Sequence, residues 1–412
     1  MGRTMSKTKA KQPECGQSRV SGVIHERFSV PFDYPVHFTQ AVFDPANPLL
    51  ASAIGRRRES RRHRVLVYVD SGVAEATPGL VRRIKAYFAR RADTLELVDV
   101  PKIVPGGECA KNGWNEVRAI MTAIGDRRMC RQSFVVAIGG GSVLDMVGFA
   151  TALVHRGLRL IRLPTTVLAQ NDAGVGVKNG MNEQETKNFV GAFAPPFAVI
   201  NDCDFLLTLR DRDWVGGIAE AYKVAIIKNA AFFRFLCRSA ARLKARDFGL
   251  MQTLVRRCAA LHLTHIRTSG DPFEFGSARP LDFGHWSAHK LEAMSGFEIG
   301  HGQAVALGIA LDSYYAMRQG LLSRAELERI LAGMAGSGLP VWSPLLDRKD
   351  RGGRPEVFQG LDQFREHLGG ELTLVMPRGI GAQCEVHRVD TAILQEAMAY
   401  LSQWSAHRQA PG

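Results

Sequence analysis

The sequence predicts a doubly wound α/β first half followed by a mostly α-helical second half. Three observations carry this. Short β-branched runs alternate with helically spaced segments from Val65 to Leu163, the pattern of parallel strands joined by crossover helices. From Trp214 onward apolar residues recur at helical spacing, through Ile226, Phe232, Leu254, Leu263, Leu291, Ala304 and Leu311. Strand signals return only at Leu372 to Met376. A chain of 412 residues has room for two or three domains. The expected division is a disordered tail over 1–22, an α/β domain over 23–207 and an α-helical domain over 208–406.

The elements follow in order. Met1 to Gly22 is polar, carries Arg3, Lys7, Lys9, Lys11 and Arg19, and has no apolar stretch to make a signal peptide. Phe28 to Phe38 reads as a first strand. Arg56 to Arg64 holds six arginines and one glutamate. No aromatic residue interleaves them, so bases have no stacking platform and the segment reads as a solvated loop or helix end. Val65 to Val69 is a strand closed by Asp70, Ser71 and Gly72. Gly79 to Arg91 is helical, Leu95 to Val100 a strand, Trp114 to Ile124 helical, Phe134 to Ile138 a strand and Ser142 to His155 helical. Leu158 to Leu163 is a strand stopped by Pro164.

Composition narrows the function classes. With 46% hydrophobic and 23% charged residues the chain can bury a core, which excludes wholesale disorder. No run approaches ~18 apolar residues, so no membrane-spanning helix is expected. The 53 basic against 40 acidic residues give +13, which favours phosphorylated small molecules, nucleic acid or an anionic surface as partner. The arginine cluster gives nucleic acid little support. Seven cysteines are scattered without a C-x-x-C. That argues against a disulfide framework and a cysteine zinc ribbon, and places the chain in a reducing cytoplasm.

Three constellations carry chemistry. Gly139-Gly140-Gly141-Ser142 lies between a strand and a helix. Glycines let a phosphate approach the backbone, the helix start offers free N–H groups, and Ser142 is placed to cap it. Asp145 follows within one turn. Pro164-Thr165-Thr166 leads into Asp172, Lys178, Lys187 and Asn188. Two ammonium groups and a carboxamide suit phosphate oxygens, although a solvated loop would look the same. Glu220, His285 and His301 offer one carboxylate and two imidazoles, the donor set of a catalytic zinc with an open position. His289, one turn after His285, is a third imidazole that could ligate or touch substrate.

These pieces occur in a familiar order. The chain resembles the 3-dehydroquinate synthase-like sugar phosphate cyclases through PGGECAK (Pro105 to Lys111), IGGGSVLDMVGFATALVHRG (Ile138 to Gly157) and RLPTTVLAQNDAGVGVKNGMN (Arg162 to Asn182). The likeness continues through TKNFVGAF (Thr186 to Phe193), GIAEAYK (Gly217 to Lys223), LDFGHWSAHKLE (Leu281 to Glu292) and HGQAVALGIAL (His301 to Leu311). The stretches DFGHWSAHKLEAM and QGLDQFREHLGG are most similar to the branch found in Ebo-type bacterial gene clusters, which supplies no substrate. The resemblance implies a Rossmann-like NAD-binding domain, a helical metal-binding domain and an active site in the cleft between them. By position, Glu220, His285 and His301 would bind Zn2+ or Co2+. Asp70, Glu108, Lys111, Gly139, Gly140, Gly141, Asp145, Thr165, Thr166, Lys178, Lys187, Thr208 and Leu209 would line the NAD site. Asp172, Lys178, Lys187, Asn188, Lys223 and His289 would face a phosphorylated sugar. Arg156 would reach the substrate phosphate of a neighbouring subunit, which implies a homodimer. The implied reaction is a lyase reaction: transient oxidation of an alcohol by NAD, loss of phosphate, return of the hydride, and ring closure by an aldol step.

Some positions depart from that family. The lysine and arginine that grip a substrate carboxylate would fall on Thr264 and Ala278, with Arg279 one residue away and His262, His265 and Arg267 near the first. Asp282 stands where asparagine is usual, and a carboxylate there repels an incoming carboxylate. Gln303 replaces a glutamate beside His301, where it is expected to retune a hydrogen bond near the metal. Lys349 and Arg378 are candidates for a C-terminal phosphate-binding lysine. The altered clamp points to a substrate without the carboxylate, such as sedoheptulose 7-phosphate. Readings left open are a 3-dehydroquinate synthase proper, an iron- or zinc-dependent polyol dehydrogenase, and a non-catalytic accessory protein.

Overall fold

The computed structural model describes residues 23–184, 186–269, 271–273, 281–367 and 371–409. The tail expected over 1–22 lies outside them, as do Ala278 and Arg279. Residues 23–33 carry no helix or strand; from Tyr34 onward the chain clusters as one unit.

That unit opens with β1 (Val36–Thr39), α1 (Leu49–Ile54), β2 (His63–Asp70), α2 (Ser71–Ala76), α3 (Leu80–Arg90), β3 (Leu95–Leu97), β4 (Lys102–Val104) and α4 (Asn115–Asp126). It continues with β5 (Phe134–Gly139), α5 (Gly141–Leu153), β6 (Arg159–Pro164), the hairpin β7 (Lys178–Glu183) and β8 (Thr186–Phe193), and β9 (Ala198–Asp202). The main sheet runs β1-β9-β6-β5-β2-β3, with β4 also on β2, and its pairs are parallel. Alternation sorts its side chains. Val65, Val67, Val69, Phe134, Val136 and Ile138 pack with Ile84, Tyr87 and Phe88 of α3. Leu66, Tyr68, Val135 and Ala137 pack with α4 and α5 on the other face.

The first strand is shorter than the Phe28 to Phe38 expected. Pro31 and Pro35 lack the N–H that a ladder needs, so β1 starts after them. The strand expected to reach Val100 stops at Leu97, and β4 takes over the same edge of β2 further along. Of the Arg56 to Arg64 segment, Arg56 and Arg57 end a helical turn, residues 58–62 form a loop, and His63 and Arg64 open β2. Arg56 stacks 4.4 Å over Phe197, and Glu59 grips Arg159 through two 2.6 Å bonds. Part of this cluster therefore serves packing.

The second half is helical: α6 (Asp211–Gly216), α7 (Ile218–Lys228), α8 (Ala230–Lys244), α9 (Phe248–Thr268), α10 (His285–Met294), α11 (His301–Arg318), α12 (Arg324–Gly336), α13 (Gln359–His367) and α14 (Thr391–Gln409). A small antiparallel pair, β10 (Leu374–Pro377) and β11 (Gln383–Val386), lies near its end. α7 is buried on nearly every side, from Ile218 to Ile227, and sits at the centre of this core. No helix of the described residues is long and apolar enough to cross a membrane.

Candidate active site

The sheet places the first half of the site. β2 runs on to its neighbours β3 and β4, while β5 runs on through β6 to β9 in the opposite direction. The order therefore switches between β2 and β5, and the C-terminal ends of those strands carry Asp70 and Gly139. Ligands of open α/β sheets bind at such a switch. A Cβ on Gly139 would lie 2.9 Å from Val143 and 3.0 Å from Asp70, so only glycine lets this turn close. The helix cap is Gly140, not the expected Ser142, because Ser142 already lies inside α5. Gly140 has no side chain to occupy the first N–H groups of this 13-residue helix, which leaves them to an anion.

Polar groups surround that turn. Ser142 donates to Glu108 at 3.0 Å, and Asn182 donates to the other Glu108 oxygen at 2.8 Å. Lys111 donates to Asp145 at 2.7 Å and also contacts Asn188. Burial opposes the Lys111 charge, but Asp145 and Glu108 outweigh it and raise its pKa. Thr165 is buried with an unpaired hydroxyl, while Thr166 accepts from Ala169 N–H. Asp70 caps α2 through Gly72 N–H, and burial raises its carboxyl pKa. Thr208 and Leu209 lie after β9. The Thr208 hydroxyl donates to Phe205 and the Leu209 carbonyl accepts from Arg246, so these bonds do not join them to the glycine turn.

The block from Lys178 to Asn188 is a hairpin rather than a loop. Its strands are polar and glycine-containing, which hid them from a hydrophobic pattern. Lys187, on β8, donates to Glu292 of α10 at 2.7 Å and lies 3.6 Å from Glu108. It thus bridges the sheet half and the helical half. Lys178 is exposed on β7, and its carbonyl accepts from the buried Arg162.

The helical half supplies the metal-like set. Glu220 is fully buried on α7. Its Oε1 lies 3.7 Å from His285 Nε2 and 3.5 Å from His301 Nε2. His285 and His301 are the first residues of α10 and α11. Each imidazole is held by its other nitrogen: His285 Nδ1 lies 3.1 Å from the Phe283 carbonyl, and His301 Nδ1 lies 3.1 Å from Glu292. A ring that donates from Nδ1 presents the lone pair of Nε2, the arrangement of metal-binding histidines. Burial, then Lys223, His301 and His289, push the His285 pKa well below its ordinary value. Burial also disfavours the His301 charge, but Glu292 and Glu220 outweigh it and raise that group to about 9. These three side chains form a cation-sized cluster, and a buried carboxylate oxygen facing the Nε2 atoms of two imidazoles fits a zinc-type ion. His289, Glu292 and His301 form an adjoining cluster, so His289 borders the site from the next turn of α10.

A second network meets the first at Lys223, which pairs with Glu220 and lies 3.6 Å from Asp172. Burial opposes the Lys223 charge, but Asp172, Glu220 and Asp282 hold its pKa above the ordinary value. Burial would raise Asp172, yet Lys223 and His262 keep it well below the usual carboxylate range. His262 Nδ1 approaches Asp172 to 2.7 Å. Thr264, the position reached by counting, is exposed; two residues on a helix turn about 200°, so the two side chains face opposite ways. Gln303 donates to the Arg212 carbonyl at 2.9 Å.

Among the C-terminal candidates, Lys349 bridges Pro355 in a turn and Arg378 precedes the bend after β10; neither is recorded touching the cluster. Arg156 is exposed beyond α5, where His155 (φ 53°) and Arg156 (φ 62°) take left-handed backbone angles before Gly157. Among the described residues no hydrogen bond or ion pair joins it to the cluster. Two contributors escaped sequence reasoning: Glu292, and Asp312, which accepts from Gly284 N–H and Trp286 Nε1; His262 was named only as a neighbour of the clamp position. A carboxylate one turn past a histidine was the one signal available for Glu292, which is buried.

Comparison with known proteins decides the family. The N-terminal 3-dehydroquinate synthase model matches residues 102–216 and the C-terminal one matches 217–351. The chain belongs to the 3-dehydroquinate synthase family. It is 34% identical to a 2-epi-5-epi-valiolone synthase of Streptomyces glaucescens, over 87% of each chain. It is 33% identical to a 3-dehydroquinate synthase of Ruegeria sp. (strain TM1040), over 82% of this chain and 90% of that one. Among solved structures, ValA, the 2-epi-5-epi-valiolone synthase of Streptomyces hygroscopicus subsp. jinggangensis 5008 with NAD+ and Zn2+ bound, superposes with a TM-score of 0.81. That match has 30% identity and covers 92% of this chain and 99% of ValA. The α/β half and the helical half are thus those of the sugar phosphate cyclase fold.

Proposed function

We propose that this chain is an NAD- and Zn2+- (or Co2+-) dependent lyase. It eliminates phosphate from a seven-carbon sugar phosphate of the sedoheptulose 7-phosphate type and closes a carbocycle. The observation that carries this reading is the buried Glu220 Oε1 facing the Nε2 atoms of His285 and His301. It lies beside a lysine–carboxylate network, within a chain 34% identical to a 2-epi-5-epi-valiolone synthase.

Glu220, His285 and His301 would hold the metal. The glycine turn, Glu108, Lys111, Asp145, Thr165 and Thr166 would hold the cofactor. When bound, NAD supplies reversible oxidation of a secondary alcohol and the metal polarises that oxygen. The chain's own residues do the rest. Lys178, Lys187, Asn188 and His289 are placed to hold phosphate oxygens by charge-assisted bonds. Lys187, tied to Glu292, couples that phosphate grip to the ring of His301. Asp172 and Lys223 orient hydroxyls of the sugar. Arg156 would complete the phosphate site of a second subunit in a homodimer.

Two features support a substrate without a carboxylate. Asp282 adds negative field near Lys223, and the α9 residue facing Asp172 is the imidazole of His262 rather than an ammonium group. A 3-dehydroquinate synthase proper remains the second reading, because relatives of that name are 33% identical. A polyol dehydrogenase would have no use for Lys187 held between Glu108 and Glu292. An accessory protein would have no use for a buried carboxylate oxygen facing two imidazole nitrogens.

Phosphate release by the protein loaded with zinc and NAD tests the proposal. Release from sedoheptulose 7-phosphate, and not from 3-deoxy-arabino-heptulosonate 7-phosphate, is expected. Release from the second alone would restore the 3-dehydroquinate synthase reading. Release from neither, with steady NADH formation from a polyol, would end the cyclase reading.

A further inference from the structure

Both imidazoles of the metal-like set begin helices, so the distance between them depends on how the start of α10 sits against α11. Three contacts fix that relation. Gly284 precedes His285 with φ +78°, and its carbonyl packs so closely on α11 that a Cβ on Gly308 would lie 1.9 Å from it. Asp312, one turn further along α11 and 1% exposed, accepts from Gly284 N–H at 2.9 Å and from Trp286 Nε1 at 2.7 Å. The two residues that flank His285 are therefore bonded to one carboxylate, on the same helix that starts with His301.

We propose that Asp312, acting through Gly284 and Trp286, is a positioning residue that sets the spacing of His285 and His301 around the Glu220 carboxylate. The bond pattern supports this in a specific way. A carboxylate that served only to join two helices needs one donor. This one takes donors on both sides of a single ligand and so fixes the rotation of the first turn of α10 as well as its distance. His285 Nδ1, facing the Phe283 carbonyl within the same turn, fixes the remaining freedom of the ring. The inference rests on the metal reading given above.

Zn2+ affinity, measured by competition with a chromophoric chelator, is the test. It is applied to the full chain, to Asp312→Asn, to Trp286→Phe and to the double variant. Thermal melts of the metal-free proteins run alongside. Asp312→Asn places an amide N–H against one of the two donors, and is expected to weaken Zn2+ binding by about 10–100-fold, the usual effect of losing a partner outside the ligands themselves. Trp286→Phe removes one donor and keeps the Gly284 bond, so a smaller loss is expected. The double variant should lose less than the two losses combined, because both act through one carboxylate. Folded variants with Zn2+ affinity within about twofold of the parent chain would overturn the proposal and leave Asp312 a purely structural tie. If Asp312→Asn does not fold, Trp286→Phe decides by the same criterion. A parent chain that takes up no Zn2+ would show before any variant is made, and would overturn the metal reading and this inference together.

Discussion

At the scale of single residues, the site is a network of opposite charges in contact, Glu220 with Lys223, Lys223 with Asp172, and Lys187 with Glu292, with the His262 imidazole against Asp172. Buried ions are tolerated only when so paired. His262→Ala therefore leaves Asp172 with Lys223 alone. An approximately tenfold or greater fall in phosphate release per unit substrate is expected, about 1.4 kcal/mol or more, with the zinc content of the purified protein unchanged. Equal loss of zinc would mean that His262 supports the metal and not the substrate. Glu220, His285 and His301, the proposed metal ligands, were legible in the sequence because their residue types are few and their surroundings match a known order. His262 was not singled out, because α9 had to be built before one of its faces could be seen to meet Asp172.

At the scale of elements, the strands β2 and β5 were legible because they are rich in β-branched residues, the mark of strands covered on both faces, and β6 because Pro164 closes its short apolar stretch. β7 and β8 were not, since KNGMNE and TKNFVGAF mix glycine, asparagine and lysine into positions that serve a site. β9 follows Pro195 and Pro196 and ends in Asn201 and Asp202, so its apolar run is only Phe197 to Ile200. The arginine segment after α1 is tied to β6 through Glu59 and Arg159. The bonds from Arg159 overcome desolvation and hold the Glu59 carboxyl down to about 2, from an ordinary 4.5. A folded-state value below the unfolded one means that the tie contributes fully above about pH 4.5 and is lost as pH falls toward 2. The acid limb of an unfolding curve should therefore be shallower for Glu59→Gln over that window. An identical limb would show that the tie is screened out by solvent.

At the scale of the whole molecule, residues from the C-terminal ends of β2, β5 and β6, from the β7–β8 hairpin and from α7, α9, α10 and α11 converge on one place. Ligands that bind there and not to the unfolded chain stabilise everything that contributes to it. Zinc at ~1,000 times its Kd is worth about 4 kcal/mol, so a chelator is expected to lower the melting temperature by several degrees, with NAD adding a further increment. A melting temperature indifferent to both would remove the shared site. Overall architecture was readable from alternation and helical spacing alone. The bringing together of Lys187 and Glu292, 105 positions apart, was not, because nothing local in either segment encodes the other.

The left-handed pair His155 and Arg156 bears on how this protein can be improved. Side chains other than glycine are strained there, so a search for heat-resistant variants should arrive early at Arg156→Gly, with an unchanged or higher melting temperature. If Arg156 serves a neighbouring subunit, the same variant should release phosphate poorly. The chain would then hold a position where selection for robustness and selection for turnover pull in opposite directions. A variant that melted lower, or that kept full turnover, would show that no such conflict exists.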